Sequence, residues 1–378
     1  MGLGAMGSAC AYQAAKRGAD VLGVDQYAPP HEMGSTLGDS RITRLALGEG
    51  GHFCGFVKRS HEIWPEIERE AGEELFTANG GLIISSPLTG GAEGSFFRQT
   101  IAAADQHKIS YEKLDAAEIR RRYPQFKIDN DAFAYFEPTA GFVRPEACIR
   151  SQIALARKYG AEIRKNEAVG RIEASSGRVR VFTADGEYEA RKLVVAAGAW
   201  LPQFLPQPYA ALFKVYRQIQ YWFEVKGDAA AFRPDRFPIF IWDVGTQTQR
   251  FYGFPILGDA SAGLKVATEQ YDVTTTPETV SREVGQSDKD AMYAMASARI
   301  PDLGPTCLRA KTCLYTETPD HGFVIDEHPE LDHVIVASPC SGHGFKHSAG
   351  IGELLAQAAL EGAPLPDPEK FGFGRFSG

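Results

Sequence analysis

Met1-Gly2-Leu3-Gly4-Ala5-Met6-Gly7 opens the chain, and the reading of this stretch decides the fold. Its three glycines stand in the spacing G-x-G-x-x-G. Gly2 allows a tight turn, Gly4 lets backbone approach a pyrophosphate, and Gly7 lets a helix pack closely on a strand. A helical stretch from Ser8 to Lys16 follows and stops at Gly18; the apolar strand Val21 to Val24 comes next and ends in Asp25. Turn, helix, strand and terminal acid are parts of a βαβ unit that binds a dinucleotide. In such a unit the helix N-terminus faces the phosphates, and Asp25 would accept a hydrogen bond from a ribose hydroxyl. The glycine spacing alone also fits a surface turn; the helix, the strand and an acid 18 residues beyond Gly7 favour the nucleotide reading. A βαβ unit has a first strand before its glycines. Only Met1 stands there, so either residues preceding Met1 belong to the native chain or that strand is missing.

The 378 residues predict about two domains with a sizeable core. With 44% apolar and 23% charged residues, the chain is not a disordered one. Glycine stands out: 39 copies without a collagen-like period point to tight turns or close approach of backbone to a ligand. A net charge of −8 argues against a nucleic-acid partner, which needs a basic face to meet phosphates. No apolar run reaches the ~18 residues of a membrane span, and no basic segment leads into an apolar one at the N-terminus, so a cytoplasmic protein is expected. Six cysteines (Cys10, Cys54, Cys148, Cys307, Cys313, Cys340) form no CxxC pair, which excludes a zinc ribbon and argues against a disulfide scaffold. His343 and His347 have helix-face metal spacing, but no further ligand joins them and no metal is expected.

Periodicity predicts helices over 53–72, around Gln99–His107, from Pro145 to about Tyr159 and over Gly350–Glu361. Alternation broken by Ser-Gly and Asp-Gly turns predicts a β-meander at Arg171–Ala174, Arg178–Thr183 and Glu187–Ala190. The continuous apolar run Leu193–Ala196 reads as a buried parallel strand. Aromatic-rich strands are expected at Gln218–Val225, Pro238–Trp242 and Arg250–Phe254, and further strands at Gly322–Ile325 and Val334–Ala337. Nucleotide-type pieces at the start, middle and end imply one α/β domain assembled from discontinuous segments.

Three further segments can carry chemistry. Gly38-Asp39-Ser40-Arg41-Ile42-Thr43-Arg44 holds two arginines three apart, Gly263-Leu264-Lys265 sets a cation in an apolar strand, and Ser341-Gly342-His343-Gly344-Phe345-Lys346 is a glycine loop directly before a helix. Each alone reads as solvated charge. Taken in order with GLGAMG, VDQYAPPHEMGSTLGDSRITRLALGEG, VVAAGAW, GLK and CLYTETPDHGFVIDEHPE, ending in SGHGFK, the set resembles the flavoprotein amine oxidases of the monomeric sarcosine oxidase and N-methyltryptophan oxidase family.

The resemblance implies a Rossmann-type FAD-binding domain over 1–78, 139–208 and 306–378, and a mixed β-sheet substrate domain over 79–138 and 209–305. It implies FAD joined covalently through its 8α position to Cys313, with Gly2, Gly4, Gly7, Asp25 and Ser35 at the adenosine-diphosphate end and Gly342 and Gly344 in the flavin loop. Arg41 and Lys265 match cations beside the flavin ring, Arg44 and Lys346 match the pair that grips a substrate carboxylate, and Tyr252 and Tyr315 match pocket aromatics. His343, in the same loop, joins the candidate catalytic residues. The implied reaction takes two electrons from the C–N bond of sarcosine or another N-methyl amino acid, leaves an imine for water to hydrolyse, and reduces O2 to H2O2. Lys265 is expected to lower the barrier to dioxygen reduction, since a fixed cation favours an anionic product. Small-molecule substrate, dioxygen and a monomeric state complete the expectation.

One position departs from the pattern. The fourth residue after the GLK lysine is a histidine in sarcosine oxidase and Glu269 here, where a carboxylate would suit a cationic or larger amine, or stand in solvent. Two other readings remain at this point. GLGAMG also resembles the opening of NAD-dependent β-hydroxyacid dehydrogenases, although those chains are shorter and offer no place for CLYT or SGHGFK. A flavin- or metabolite-binding protein without turnover is the other.

Overall fold

A computed structural model describes residues 1–244 and 250–377. In it the opening glycines do what their spacing predicts. Gly2 has φ +78°, and a Cβ there would lie 2.4 Å from the Ala196 carbonyl oxygen; a Cβ on Gly7 would lie 1.7 Å from the Gly2 carbonyl oxygen. Neither position has room for a side chain, because the obstacle in each case is backbone. The turn delivers the chain into the helix Ala5–Lys16, which begins three residues ahead of the expected Ser8 with Gly4 as its N-cap, and which is buried from Met6 to Ala15.

The strand Leu22–Asp25 pairs in parallel with Glu162–Lys165. Leu193–Val195 pairs in parallel with Val334–Ser338, which in turn pairs antiparallel with Val324–Glu327. Met1 to Leu3 bridge the two sets. The Met1 amino group donates to the Val194 carbonyl at 2.9 Å, the Ala196 N–H donates to the Met1 carbonyl at 2.9 Å, and the Gly2 N–H donates to the Val24 carbonyl at 2.8 Å. These residues thus run between the two strand pairs, along the path that the first strand of a βαβ unit follows.

Three helices pack around this layer: Ala5–Lys16, Pro145–Lys158 and Ser348–Glu361. A Cβ on Gly352 would lie 2.3 Å from that of Ala9, so the first and last of them cross in close backbone contact. Leu3, Tyr12, Trp64, Ile149, Ile153 and Ile163 fill the core between helices and strands. The meander forms as expected, at Val169–Ser175, Arg178–Thr183 and Glu187–Ala190.

Arg41–Thr43, Gly141–Val143 and Phe76–Thr77 form a small antiparallel sheet, and the remaining strands build one large sheet. Its order is Thr274–Thr275, Lys214–Val225, Leu264–Thr268, Arg250–Gly253, Ile239–Asp243, Gly81–Ser85, Phe133–Glu137, Glu112–Asp115, with Leu303–Glu317 also paired to Lys214–Val225. Only Gly81–Ser85 and Ile239–Asp243 run in parallel within it. One face is backed by an aromatic cluster of Phe126, Phe232, Phe237, Phe240, Trp242 and Phe251. The 15-residue strand Leu303–Glu317 shows in the sequence only at its CLYT end, because Arg309 and Lys311 interrupt the apolar pattern upstream. The expected boundary between 305 and 306 falls inside this strand. Among the described residues no helix is long and apolar enough to cross a membrane.

Gly7 and Gly4 separate packing from ligand space. Gly7→Ala is expected to lower stability by about 2 kcal/mol or more, since backbone must move to admit the methyl group. A Cβ on Gly4 meets no protein atom within 4 Å, so Gly4→Ala should stay within about 1 kcal/mol of the parent. Urea unfolding of the two variants without ligand checks the contrast.

Candidate active site

Between the glycine turn and the large sheet lies a cavity of about 990 Å³. Gly2, Gly4 and Asp25 line one end of it and Arg44, Glu49 and Lys346 the other. At the first end the Asp25 carboxylate is buried and accepts from the Leu3 N–H at 2.7 Å and the Tyr27 N–H at 2.8 Å. Those bonds fix its orientation, and a carboxylate keeps acceptor capacity for a further hydroxyl. Ser35 lines the same stretch, and Arg41 holds it in place by donating to the Ser35 carbonyl at 2.8 Å and the Ser40 carbonyl at 2.9 Å. Gly342, His343 and Gly344 line the opposite wall. The open space at the Gly4 α-carbon faces this cavity, at the N-terminus of a 12-residue helix whose first N–H groups attract anions. Its length, its glycine cradle and its terminal acid fit a dinucleotide with a second ring system at the far end.

The sheet supplies the wall at that far end. Antiparallel register places Tyr252 opposite Ala267, and the Phe254 N–H donates to the Lys265 carbonyl at 3.0 Å. The same register brings Arg250 against Glu269, one residue past the strand, with Nη1 to Oε2 at 3.4 Å. Alternation along a strand puts Lys265, Ala267 and Glu269 on one face. Lys265 is almost fully buried, and its Nζ donates to the Gly38 carbonyl at 2.6 Å, the Ser40 carbonyl at 2.8 Å and the Ser40 hydroxyl at 3.3 Å. Burial and nearby Arg41 pull this ammonium well below the ordinary lysine range. Three acceptors, one for each N–H, hold the charged form against that pull.

Arg44 and Lys346 meet around a carboxylate of the chain itself. Both are buried, and Glu49 accepts from Arg44 Nη2 at 2.6 Å and from Lys346 Nζ at 3.4 Å. Burial opposes charge on Glu49, yet the two cations hold its carboxyl well below the usual range. Burial draws Lys346 down to about 8 in spite of Glu49. Arg44 also lies over the Phe96 ring, 5.0 Å from its centroid, and Arg250 sits 4.2 Å from the same centroid. Tyr252 and Tyr315 meet hydroxyl to hydroxyl at 3.3 Å across the pocket.

Cys313 shares a strand face with Tyr315 but is buried beneath the wall, against Leu37, Tyr315 and Tyr271; Tyr315 lines the cavity and Cys313 does not. Its sulfur accepts from Gln220 Nε2 at 3.3 Å. His343 lines the cavity with its ring stacked on Phe323, and burial draws it down to about 3, so the imidazole is neutral and serves as packing surface. Among the described residues no group of three or more His, Cys, Asp or Glu side chains could hold a metal ion. Glu49, Phe96 and Arg250 belong to the site although nothing in the sequence reading singled them out. Glu49 lies five residues past Arg44 in the GDSRITRLALGEG stretch, and that proximity was its one available signal.

The FAD dependent oxidoreductase family matches residues 1–358. The chain is 41% identical to the monomeric sarcosine oxidase of Streptomyces avermitilis over 96% of its own length and 93% of that protein. It is 33% identical to the N-methyl-L-tryptophan oxidase of Yersinia pestis over 100% of this chain and 98% of that one. Among solved structures, L-proline dehydrogenase from P. horikoshii superposes with a TM-score of 0.81 at 21% identity, covering 100% of this chain and 96% of that one, a likeness of fold. These matches leave no place for the nicotinamide-dependent dehydrogenase reading. The chain belongs to the FAD-dependent oxidoreductases, within the family of monomeric sarcosine oxidase and N-methyl-L-tryptophan oxidase.

Proposed function

We propose that this chain oxidises a secondary α-amino acid, sarcosine or another N-methyl amino acid, at its C–N bond, giving an imine that water hydrolyses while O2 is reduced to H2O2. The observation that carries the reading is the pair of buried cations, Arg44 and Lys346, closed around the Glu49 carboxylate at the far end of a cavity that begins at a dinucleotide cradle. A site that already holds one carboxylate offers the charge and donors an amino acid's carboxylate needs.

FAD, when bound, supplies a two-electron acceptor that dioxygen reoxidises. Gly2, Gly4, Gly7, Asp25 and Ser35 would hold its adenosine-diphosphate part, and Arg41, Gly342, Gly344 and Lys346 would lie toward the ring. In this arrangement Arg44 and Lys346 orient the substrate by its carboxylate, and Tyr252 and Tyr315 exclude water on the side facing the sheet. With FAD bound, Lys265 would supply a positive charge that favours reduced oxygen species; one preorganised charge is worth on the order of 10³-fold in rate. Cys313 would carry the covalent link, with Gln220 donating to its sulfur; the thiol must then come forward past Leu37 from its place behind the wall. A monomer acting in the cytoplasm on small molecules completes the reading.

Anaerobic addition of N-methyl amino acids to the yellow holoprotein should bleach absorbance near 450 nm, and admitting oxygen should restore it with release of peroxide. Retained absorbance with every member of such a panel would support a binding protein without turnover instead. Acid-precipitated protein should keep its flavin and Cys313→Ser should release it; flavin lost from the parent protein overturns the covalent link. Because Lys346 is drawn down to about 8, its charge disappears as pH rises through that value, and kcat/KM should fall on the alkaline side. Lys346→Arg, which stays protonated, should remove that limb from the pH profile.

A further inference from the structure

The row of cross-strand pairs that backs the cavity has a direction: Arg250, Tyr252 and Glu269 line the cavity, and Lys265 and Ala267 are buried beneath the lining. Lys265 stands at one end, Tyr252 and Ala267 in the middle, and Arg250 with Glu269 at the other end. Four residues of strand separate Lys265 from Glu269, about 13 Å. If the reaction proceeds over Lys265, as the proposed function has it, Glu269 lies beyond the reacting centre, where the side chain of a substrate would reach.

The charge there is unbalanced toward the negative. The Arg250 guanidinium stands between two carboxylates, Glu269 at 3.4 Å and Asp243 at 3.9 Å. Asp243 stands on the same sheet face, directly across from Arg250, but is buried and accepts from the Ser85 hydroxyl at 2.8 Å. Glu269 is the member that faces the cavity, its side chain 18% exposed. Arg250 is further fixed by lying on Phe96, so its charge is committed to the wall. Aromatic rings complete the surroundings: Tyr252, Tyr271 and Tyr315 all line the cavity, and burial, followed by the charges of Glu269 and Glu317, pushes the Tyr271 phenol above the ordinary tyrosine range. A carboxylate that shares its cavity with three tyrosines can receive an organic cation, through ion pairing and cation–π attraction together.

Resting on the function proposed above, we infer that Glu269 with Tyr252, Tyr271 and Tyr315 forms a distal cation subsite, so that this chain prefers N-methyl amino acids whose side chain ends in an ammonium group. Arg44 and Lys346 hold the carboxylate end of such a substrate, and Glu269 holds the opposite end. Glu269 is a specificity residue in this scheme and takes no proton from the reacting amine.

The test uses the holoenzyme and two readouts. Values of kcat/KM are compared for Nα-methyl-L-lysine, its neutral isostere Nα-methyl-L-norleucine, and the anionic Nα-methyl-L-2-aminoadipate. The cationic substrate should exceed the neutral one by roughly tenfold to a hundredfold, with the anionic one slowest. In Glu269→Gln the cationic-to-neutral ratio should collapse to about threefold or less, and Glu269→Asp should restore part of it. Separately, perturbation of the flavin spectrum by 5-aminopentanoate and by pentanoate measures binding without turnover, and the amino compound should bind more tightly only when Glu269 is present. A neutral or anionic preference in the parent enzyme, an unchanged ratio in Glu269→Gln, or an equal loss for all three substrates would each overturn the subsite. Failure of every N-methyl amino acid to bleach the flavin would instead strike the function proposed above, and the two spectral titrations would still decide the cation subsite.

Discussion

A single buried ammonium joins the two halves of this molecule. Lys265 belongs to the large sheet, yet its three N–H groups are spent on Gly38 and Ser40, which lead into the strand Arg41–Thr43. An unpaired charge at that depth would cost several kcal/mol, so the loop is held wherever the lysine is held. From there the constraint spreads. The Gly38 N–H donates to Glu146 Oε1 at 2.5 Å, which reaches the helix Pro145–Lys158, and Arg41 ties the following loop to Ser35. Positions of Arg41 and Arg44, and through them the geometry of the cavity, follow from one satisfied cation.

The cavity uses a single electrostatic device twice, on either side of Phe96. Glu49 is shared between Arg44 and Lys346, and Arg250 is shared between Glu269 and Asp243. Each group leaves one charge in surplus, positive at the first and negative at the second. A ligand carrying both signs would cross the pocket along the field, where the low dielectric makes each attraction stronger than it is in water. Phe96, beneath both arginines, keeps the two groups at a fixed separation.

The glycine turn, its helix and Asp25 were legible because they are local: every part lies within 25 residues and follows from backbone sterics. The meander and the terminal helix were legible for the same reason. Arg44, Lys265 and Lys346 were legible only as a set, since a single Lys or Arg in a sequence reads as surface charge. Glu49 was legible only through its nearness to Arg44 and Arg250 not at all, because what gives each its place is a partner brought in by the fold or by strand register. Cys313 shows the opposite limit. Its motif was plain, while its burial behind Tyr315 and Leu37 depends on how Leu303–Glu317 lies against Lys214–Val225.

The crossing of the helices Ala5–Lys16 and Ser348–Glu361 bears on the order in which the protein can be made. The phosphate cradle is synthesised well before the helix that crosses it: the contact of Ala9 with Gly352 forms only after Gly352 has left the ribosome, and Lys346 arrives only a few residues earlier. Before then the opening helix exposes an apolar face, and the cavity has no far wall. The nucleotide-binding layer is therefore finished only when Ser348–Glu361 has been made, and cofactor capture waits on that helix while the exposed face of Ala5–Lys16 is open to aggregation.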